Sequence, residues 1–267
     1  MTVTVFPALC MASTATISAF PHKLRFSEKF RISLRKRWFG PQRGPGTRRV
    51  VRCNYFGAQF VVNLEDMVGY EIAINRYEWR ELKIMLDACR RLKPEIFLDV
   101  GANLGLYSCV LAKNNAVPRV VAFEPDRANH ARMVTNLKLN GLADRVELRE
   151  EAVGAEPGRA YLVSSAPANR GMSHIVNGET EGSYSVPVVR LDDMFQLDDT
   201  SIAAKIDVEG FELEMLMSTA QLFTRNRGFV QIEGRIDRVA GVIKELMATF
   251  GWRFVERYGI DIRFEKP

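Results

Sequence analysis

The sequence predicts an open α/β fold with a parallel, doubly wound sheet, and three observations lead there. From residue 96 onward, short apolar runs alternate with helix-like stretches, the rhythm of strand–helix–strand units. The first run, Ile96–Val100, passes directly into a turn carrying Gly101 and Gly105, and then into the apolar stretch Leu106–Ala112. Acids mark the ends of successive runs, with Asp99 in the first and Glu124 closing the second, Val120–Phe123. Strand, glycine turn and helix start in succession make the ligand-binding corner of such a sheet.

In chain order, the 267 residues allow one large α/β domain and an appendage. The net charge of +5 is unevenly spread: residues 1–53 hold eleven Lys and Arg against the single acid Glu28, which leaves the rest mildly acidic. This predicts a basic N-terminal extension over 1–53, disordered in part, and a folded domain over 54–267. Residues 1–21 carry no charge, lack the basic start and continuous apolar stretch of a secretory signal, and are too polar for a membrane span. They faintly resemble an organellar transit peptide, and Met11 is an alternative start. Over 22–39 basic and apolar residues mix, and both helical and strand periodicities fit. A helix on an anionic membrane surface or on nucleic acid competes there with a segment docked on its own domain or on a partner subunit. Pro41, Gly44, Pro45 and Gly46 read as a linker. Cys10, Cys53, Cys89 and Cys109 form no C-x-x-C pair, which reads as reduced thiols in a cytoplasmic protein.

Tyr55–Val62 reads as a strand, Asp66–Gly69 as a turn, and Glu71–Arg91 as a helix with an imperfect apolar stripe, leaning over the glycine turn as a lid. Ile96–Val100, Arg119–Phe123 and Arg145–Arg149 are the first three core strands, with helices at Leu104–Lys113 and Asp126–Leu139; Asp126 is placed to cap the second. Residues 155–190 break the rhythm, reading as an antiparallel insertion with a polar loop at Ser164–Gly182, a natural place for acceptor specificity. Ala203–Val208 is the fourth strand, Phe211–Leu222 a helix, Phe229–Glu233 the fifth strand, Val239–Phe250 a helix, and Trp252–Arg257 with Asp261–Phe264 a closing hairpin.

The glycine turn carries chemistry. Its spacing is G-x-N-x-G rather than the dinucleotide G-x-G-x-x-G, and an acid precedes it. Asp99 would repel a pyrophosphate and attract an ammonium or sulfonium. Glu124 stands where an acid accepts hydrogen bonds from ribose hydroxyls. Together they suit a nucleoside with a cationic amino-acid tail, S-adenosylmethionine, and argue against the rival NAD-dependent oxidoreductase. In the second informative stretch, K-I-D-V-E-G-F-E (205–212), Lys205, Asp207 and Glu209 interrupt a buried strand. Alternation sets all three on one side, near the crevice of Asp99 and Glu124. They are candidate catalytic residues, against the plainer reading that Lys205 neutralises a neighbouring acid.

The stretches F-L-D-V-G-A-N-L-G-L-Y-S (97–108), V-A-F-E-P-D (121–126), N-L-K-L-N-G (136–141), A-V-G (152–154) and K-I-D-V-E-G-F-E (205–212) resemble the FkbM family of S-adenosylmethionine-dependent methyltransferases, over about residues 90–260. The resemblance implies a Rossmann-like class I methyltransferase fold, with a mostly parallel seven-stranded sheet and an antiparallel C-terminal strand. It implies O-methylation of a small-molecule or glycan hydroxyl on a sugar, polysaccharide precursor or other natural product. By resemblance, Asp99, Gly101, Asn103 and Gly105 cradle the methionine end, Glu124 holds the ribose, and Glu151 and Ala152 border the adenine. Asp207 and Glu209 face the methyl group and the acceptor, and either is a candidate base, with His174 a third. Two carboxylates alone are weak metal evidence, so no metal is expected. A nucleic-acid methyltransferase using the basic extension is the alternative, but the segment for methylating an exocyclic amine, N-P-P-Y, is absent.

Overall fold

The computed structural model describes residues 28–39, 49–164, 173–176, 178–208 and 210–267. The expectations for residues 1–21, the linker at 41–46, much of the polar loop and Glu209 lie outside the described residues. Five strands form a parallel core: β3 (Ile96–Val100), β4 (Arg119–Phe123), β5 (Val146–Arg149), β10 (Ser201–Ile206) and β11 (Arg227–Glu233). With the C-terminal hairpin β12 (Arg253–Tyr258) and β13 (Asp261–Lys266) they make a seven-stranded sheet, ordered β12-β13-β11-β10-β3-β4-β5. β13 runs antiparallel to β11 and β12, so the predicted sheet is present, closing strand included. Adjacent β3 and β10 lead in opposite directions through the sheet, and the crevice at their carboxyl ends is where such folds bind ligands.

Both faces of the sheet are covered. One packs on α3 (Trp79–Leu92), α4 (Leu106–Lys113) and α5 (Arg127–Asn140), the other on α6 (Leu191–Met194), α7 (Glu212–Met217), α8 (Ala220–Arg225) and α9 (Asp237–Thr249). The predicted insertion is a separate sheet, ordered β6-β9-β7-β8, from β6 (Ala152–Val153), β7 (Gly158–Val163), β8 (His174–Val176) and β9 (Ser183–Val189). Asp126 caps α5 as predicted, accepting from the amides of Ala128 and Asn129 at 2.8 and 3.0 Å. Its other oxygen accepts from the hydroxyls of Ser164 and Ser173, tying the insertion to the start of α5.

Three predicted elements divide differently. The strand expected at Tyr55–Val62 is a hairpin, β1 (Val50–Tyr55) and β2 (Ala58–Asn63), turning at Phe56 and Gly57. The boundary placed between residues 53 and 54 therefore falls inside β1, whose Val51 and Cys53 are buried. The helix expected at Glu71–Arg91 is two, α2 (Met67–Ala73) and α3, because Asn75 and Glu78 take left-handed conformations at φ 60° and 44°. Remote groups hold this break: Arg35 donates to the Ala73 carbonyl at 3.1 Å, and the Tyr55 hydroxyl to the Tyr77 carbonyl at 2.7 Å. Helical periodicity does not register such contacts. The helix expected at Phe211–Leu222 splits into α7 and α8, where the hydroxyls of Ser218 and Thr219 donate back to the carbonyls of Met215 and Leu216.

Arg35 belongs to α1 (Glu28–Phe39), the helical form of the basic stretch; Phe39 is buried against the domain and Trp38 is exposed. The N-L-K-L-N-G stretch has a structural task. Asn136 accepts from the Val61 amide at 2.9 Å, and Asn140 pairs with both backbone groups of Gln59, so one face of α5 stitches β2 to the domain. Among the described residues no helix is long and apolar enough to cross a membrane.

Candidate active site

A cavity of about 660 Å³ opens at the carboxyl ends of β3, β4, β10 and β11, beneath the start of α3 and the turn between β12 and β13. Its first wall is the glycine turn. Gly101 has φ 80°, a region that L side chains rarely adopt, and a Cβ there would lie 1.8 Å from the Asp207 carbonyl oxygen. The position thus requires glycine, and the turn abuts the end of β10. Gly105, at φ 84°, starts α4, and Met133 fills the space where its Cβ would be. Asn103 lines the cavity, and its buried side-chain oxygen has no hydrogen-bond partner. Glu124 closes this wall: its two oxygens accept from the amides of Asn103 at 2.6 Å and Asp126 at 2.8 Å. Burial pushes its carboxyl up to about 8, against the pull of those two amides.

The second wall is made of side chains. Alternation on neighbouring strands aligns Asp99, Lys205, Gln231 and Arg263 in one row across β3, β10, β11 and β13, all buried. One step further along, Asp207, Glu233 and Asp261 form a second row on the same face, at the cavity. Lys205 Nζ lies 2.8 Å from Asp207 Oδ2, 3.9 Å from Glu78 Oε2 and 5.2 Å from the centre of the Tyr107 ring. Burial acts to lower the Lys205 pKa, but Asp207, Glu78 and Asp261 outweigh it and hold the ammonium charged. The Tyr107 hydroxyl donates to Glu78 at 2.8 Å, while Gln231 donates to Asp261 at 2.9 Å and accepts from Arg263 at 3.2 Å. Arg235 Nε donates to Glu233 Oε1 at 2.8 Å. Burial pushes Asp261 up to about 7, with Lys205 opposing. Among the described residues no three His, Cys, Asp or Glu side chains converge as metal ligands would; an ammonium occupies the middle of this acid cluster.

Of the residues predicted from sequence, Gly101, Asn103, Glu124, Glu151, Ala152, Asp207 and His174 line this one cavity. Glu151 is paired with Arg149 at 2.8 Å. Gly105 and Lys205 stand directly behind the walls. Asp99 is not on the cavity surface: its Oδ2 accepts from the Ser108 amide at 3.0 Å and from the Ser108 hydroxyl, with burial pushing the carboxyl up to about 6. Glu209 lies outside the described residues. Sequence reading missed Glu78, Glu233, Arg235 and Asp261. Glu78 follows a helix break set by remote contacts. Glu233, however, ends an apolar strand much as Glu124 follows one, and that same signal could have found it; Asp261 opens the antiparallel β13 and reaches the same row only through the sheet register.

The model of the methyltransferase FkbM domain family matches residues 99–258. Among solved structures, the methyltransferase FkbM from Methylobacillus flagellatus KT is 17% identical, with 64% of this chain aligned and a TM-score of 0.46; this chain spans 43% of that protein. TYW2 from M. jannaschii, solved in complex with AdoMet, is 15% identical at a TM-score of 0.45, over 83% of this chain and 89% of that one. The ribosomal protein L11 methylase from Lactobacillus delbrueckii subsp. bulgaricus is 16% identical at 0.42, over 71% and 80%. No curated protein matches the chain.

Proposed function

The chain belongs to the FkbM methyltransferase family, and from that premise we propose that it moves the methyl group of S-adenosylmethionine onto a hydroxyl of a sugar, polysaccharide precursor or other natural product. The observation that carries this reading is the single cavity with a backbone-built wall at Gly101–Asn103 and Glu124 facing a carboxyl wall at Asp207. The residues present fit the cofactor. Gly101 leaves a cradle that any Cβ would fill, and Asn103 keeps a buried oxygen without a partner. In this reading Gly101 and Asn103 receive the methionine end, Glu124 takes the ribose hydroxyls, and Glu151 with Ala152 borders the adenine. The bound cofactor supplies an activated methyl group with a neutral thioether as leaving group.

The protein's part is to orient the acceptor and handle its proton. Holding reactants in line recovers on the order of 7–11 kcal/mol of barrier. Asp207, kept ionised by Lys205, is the base that accepts the hydroxyl proton. Tyr77, Trp79 and Tyr258 offer aromatic surface for a ring-shaped acceptor. Glu71, Glu78, Glu81, Glu151 and Asp207 line the cavity against three arginines, and this excess of acidic side chains disfavours a nucleic acid. The scattered cysteines support a cytoplasmic location.

Incubation with S-adenosylmethionine and a panel of hydroxylated acceptors, read as S-adenosylhomocysteine formation, tests the reading. Asp207→Asn should lower turnover by about 10²–10⁴-fold while calorimetry finds most of the cofactor affinity intact. Near-normal turnover would remove Asp207 from the chemistry, and absence of cofactor binding in the unsubstituted protein would overturn the whole assignment.

A further inference from the structure

Glu233 has no part in the transfer described so far, yet it is built into the cavity as firmly as Asp207. Its Oε1 is held by Arg235, and its Oε2 is buried without a hydrogen-bond partner. Asp207 repeats the arrangement: Lys205 holds Oδ2, and Oδ1 is buried without a partner. The two residues follow register partners Ile206 and Ile232 on adjacent parallel strands, and their carboxyl groups are within hydrogen-bonding reach of each other. Two ionised carboxylates have only acceptors to offer one another. One proton between them supplies the missing donor, as where two carboxyls share a site.

Building on the methyltransferase reading, we propose that Asp207 and Glu233 form a proton-sharing pair that releases its proton when the cationic cofactor binds and recovers one from the acceptor hydroxyl. The surroundings favour one negative charge on the pair over two. Lys205 and Arg235 are the cations against it, while Glu78, Asp261 and Asp99 add negative charge and Tyr77 and Tyr107 add phenols. Burial and the neighbouring Asp207 push the Glu233 carboxyl up, while Lys205 overcomes burial to hold Asp207 down. The glycine turn that receives the methionine end abuts the Asp207 backbone, so the incoming charge arrives beside the pair and favours its doubly ionised form.

During transfer the acceptor O–H bond breaks and the pair takes its proton. The oxygen's electron pair forms the bond to the methyl carbon, and the carbon–sulfur electrons stay on sulfur, which becomes neutral. The pair regains its proton as the positive charge beside it disappears, and ends as it began. The product, lacking that charge, should therefore bind without expelling the proton.

Titration calorimetry in buffers of different ionisation enthalpy counts the protons. The unsubstituted protein should release up to one proton per S-adenosylmethionine bound and fewer per S-adenosylhomocysteine. Its dissociation constant for the former should fall by as much as tenfold per pH unit where the pair titrates. Glu233→Gln should bind the cofactor without release, whereas Asp261→Asn and Glu124→Gln should still release it. Binding without release, or release that survives Glu233→Gln, would overturn the pair and leave the cofactor assignment standing; no binding at all would overturn both. Should Glu233→Gln fail to fold, infrared difference spectra of the unsubstituted protein decide. Cofactor addition must bleach the carbonyl band of a protonated carboxyl, and an unchanged band refutes the pair.

Discussion

The two walls of the cavity are built on opposite principles. The wall at β3 and β4 is mostly main chain, with a glycine turn pressed against β10 and a carboxyl group that organises two amides. The wall at β10, β11 and β13 is a layer of buried side-chain charge around one ammonium. The first is defined by shape, so it fails when an atom is added. The second is defined by balance, so it fails when a charge is removed and its former partners remain buried. A nucleoside with a fixed outline suits the first kind, and a proton that must come and go suits the second.

The sharpest test of this contrast is Lys205→Met, which deletes the only cation within 4 Å of both Asp207 and Glu78 among the described ion pairs. Breaking a buried pair this way should cost about 3–5 kcal/mol, read by urea denaturation near neutral pH. Adding Asp207→Asn to Lys205→Met should restore much of the loss, because the stranded charge is then gone. A loss below about 1 kcal/mol would mean the wall is no charge balance.

Gly101→Ala tests the other wall by shape. The left-handed backbone costs about 1–2 kcal/mol for a non-glycine residue, and relieving the clash with the Asp207 carbonyl adds about 1–3 kcal/mol. The same denaturation measurement should find a stability loss near the sum, without the pH sensitivity that a charge substitution brings. Near-wild-type stability would show that the turn can open. Smaller again is Glu124→Gln, which keeps one oxygen for one of the two amides. Its expected cost in cofactor affinity is about 1.5–3 kcal/mol, roughly 10- to 150-fold in Kd, with turnover at saturating cofactor little changed. Equal losses in affinity and turnover would join the two walls into one functional unit.

The same contrast explains what was legible in the sequence. Backbone-built features announce themselves locally: Gly101 and Gly105 follow a buried strand, Asp126 precedes the helix it caps, and Asn140 with Gly141 ends it. Side-chain balance is assembled from distant segments, and only Lys205 and Asp207, two residues apart, betrayed it. Glu78 joins because Arg35 and Tyr55 hold open a helix break. Gln231 and Arg263 join through sheet register. The α2–α3 break and the β1–β2 hairpin were lost for a related reason, since periodicity counts residues and not the remote groups that interrupt them.

Asp99→Asn carries the smallest expected effect on the cofactor, because Asp99 belongs in sequence to the first wall and in space to the layer behind both. Its carboxyl faces Ser108, and asparagine's carbonyl oxygen can accept the same two hydrogen bonds. Cofactor affinity should therefore change by less than about tenfold, or 1.4 kcal/mol. What should change is stability against pH. The Asp99 carboxyl sits at about 6 in the fold, above its ordinary 3.8, so the folded chain keeps this proton longer than the unfolded one. Stability from this group is full below about 4 and falls as pH climbs to about 6. Asparagine does not titrate, so across that window the variant should gain about 1–3 kcal/mol relative to the unsubstituted protein, measured as the difference between their urea curves at pH 4 and pH 7. A parallel pair of curves would mean that Asp99 is ionised throughout. A fall in affinity beyond tenfold would return Asp99 to the cofactor, where the sequence placed it.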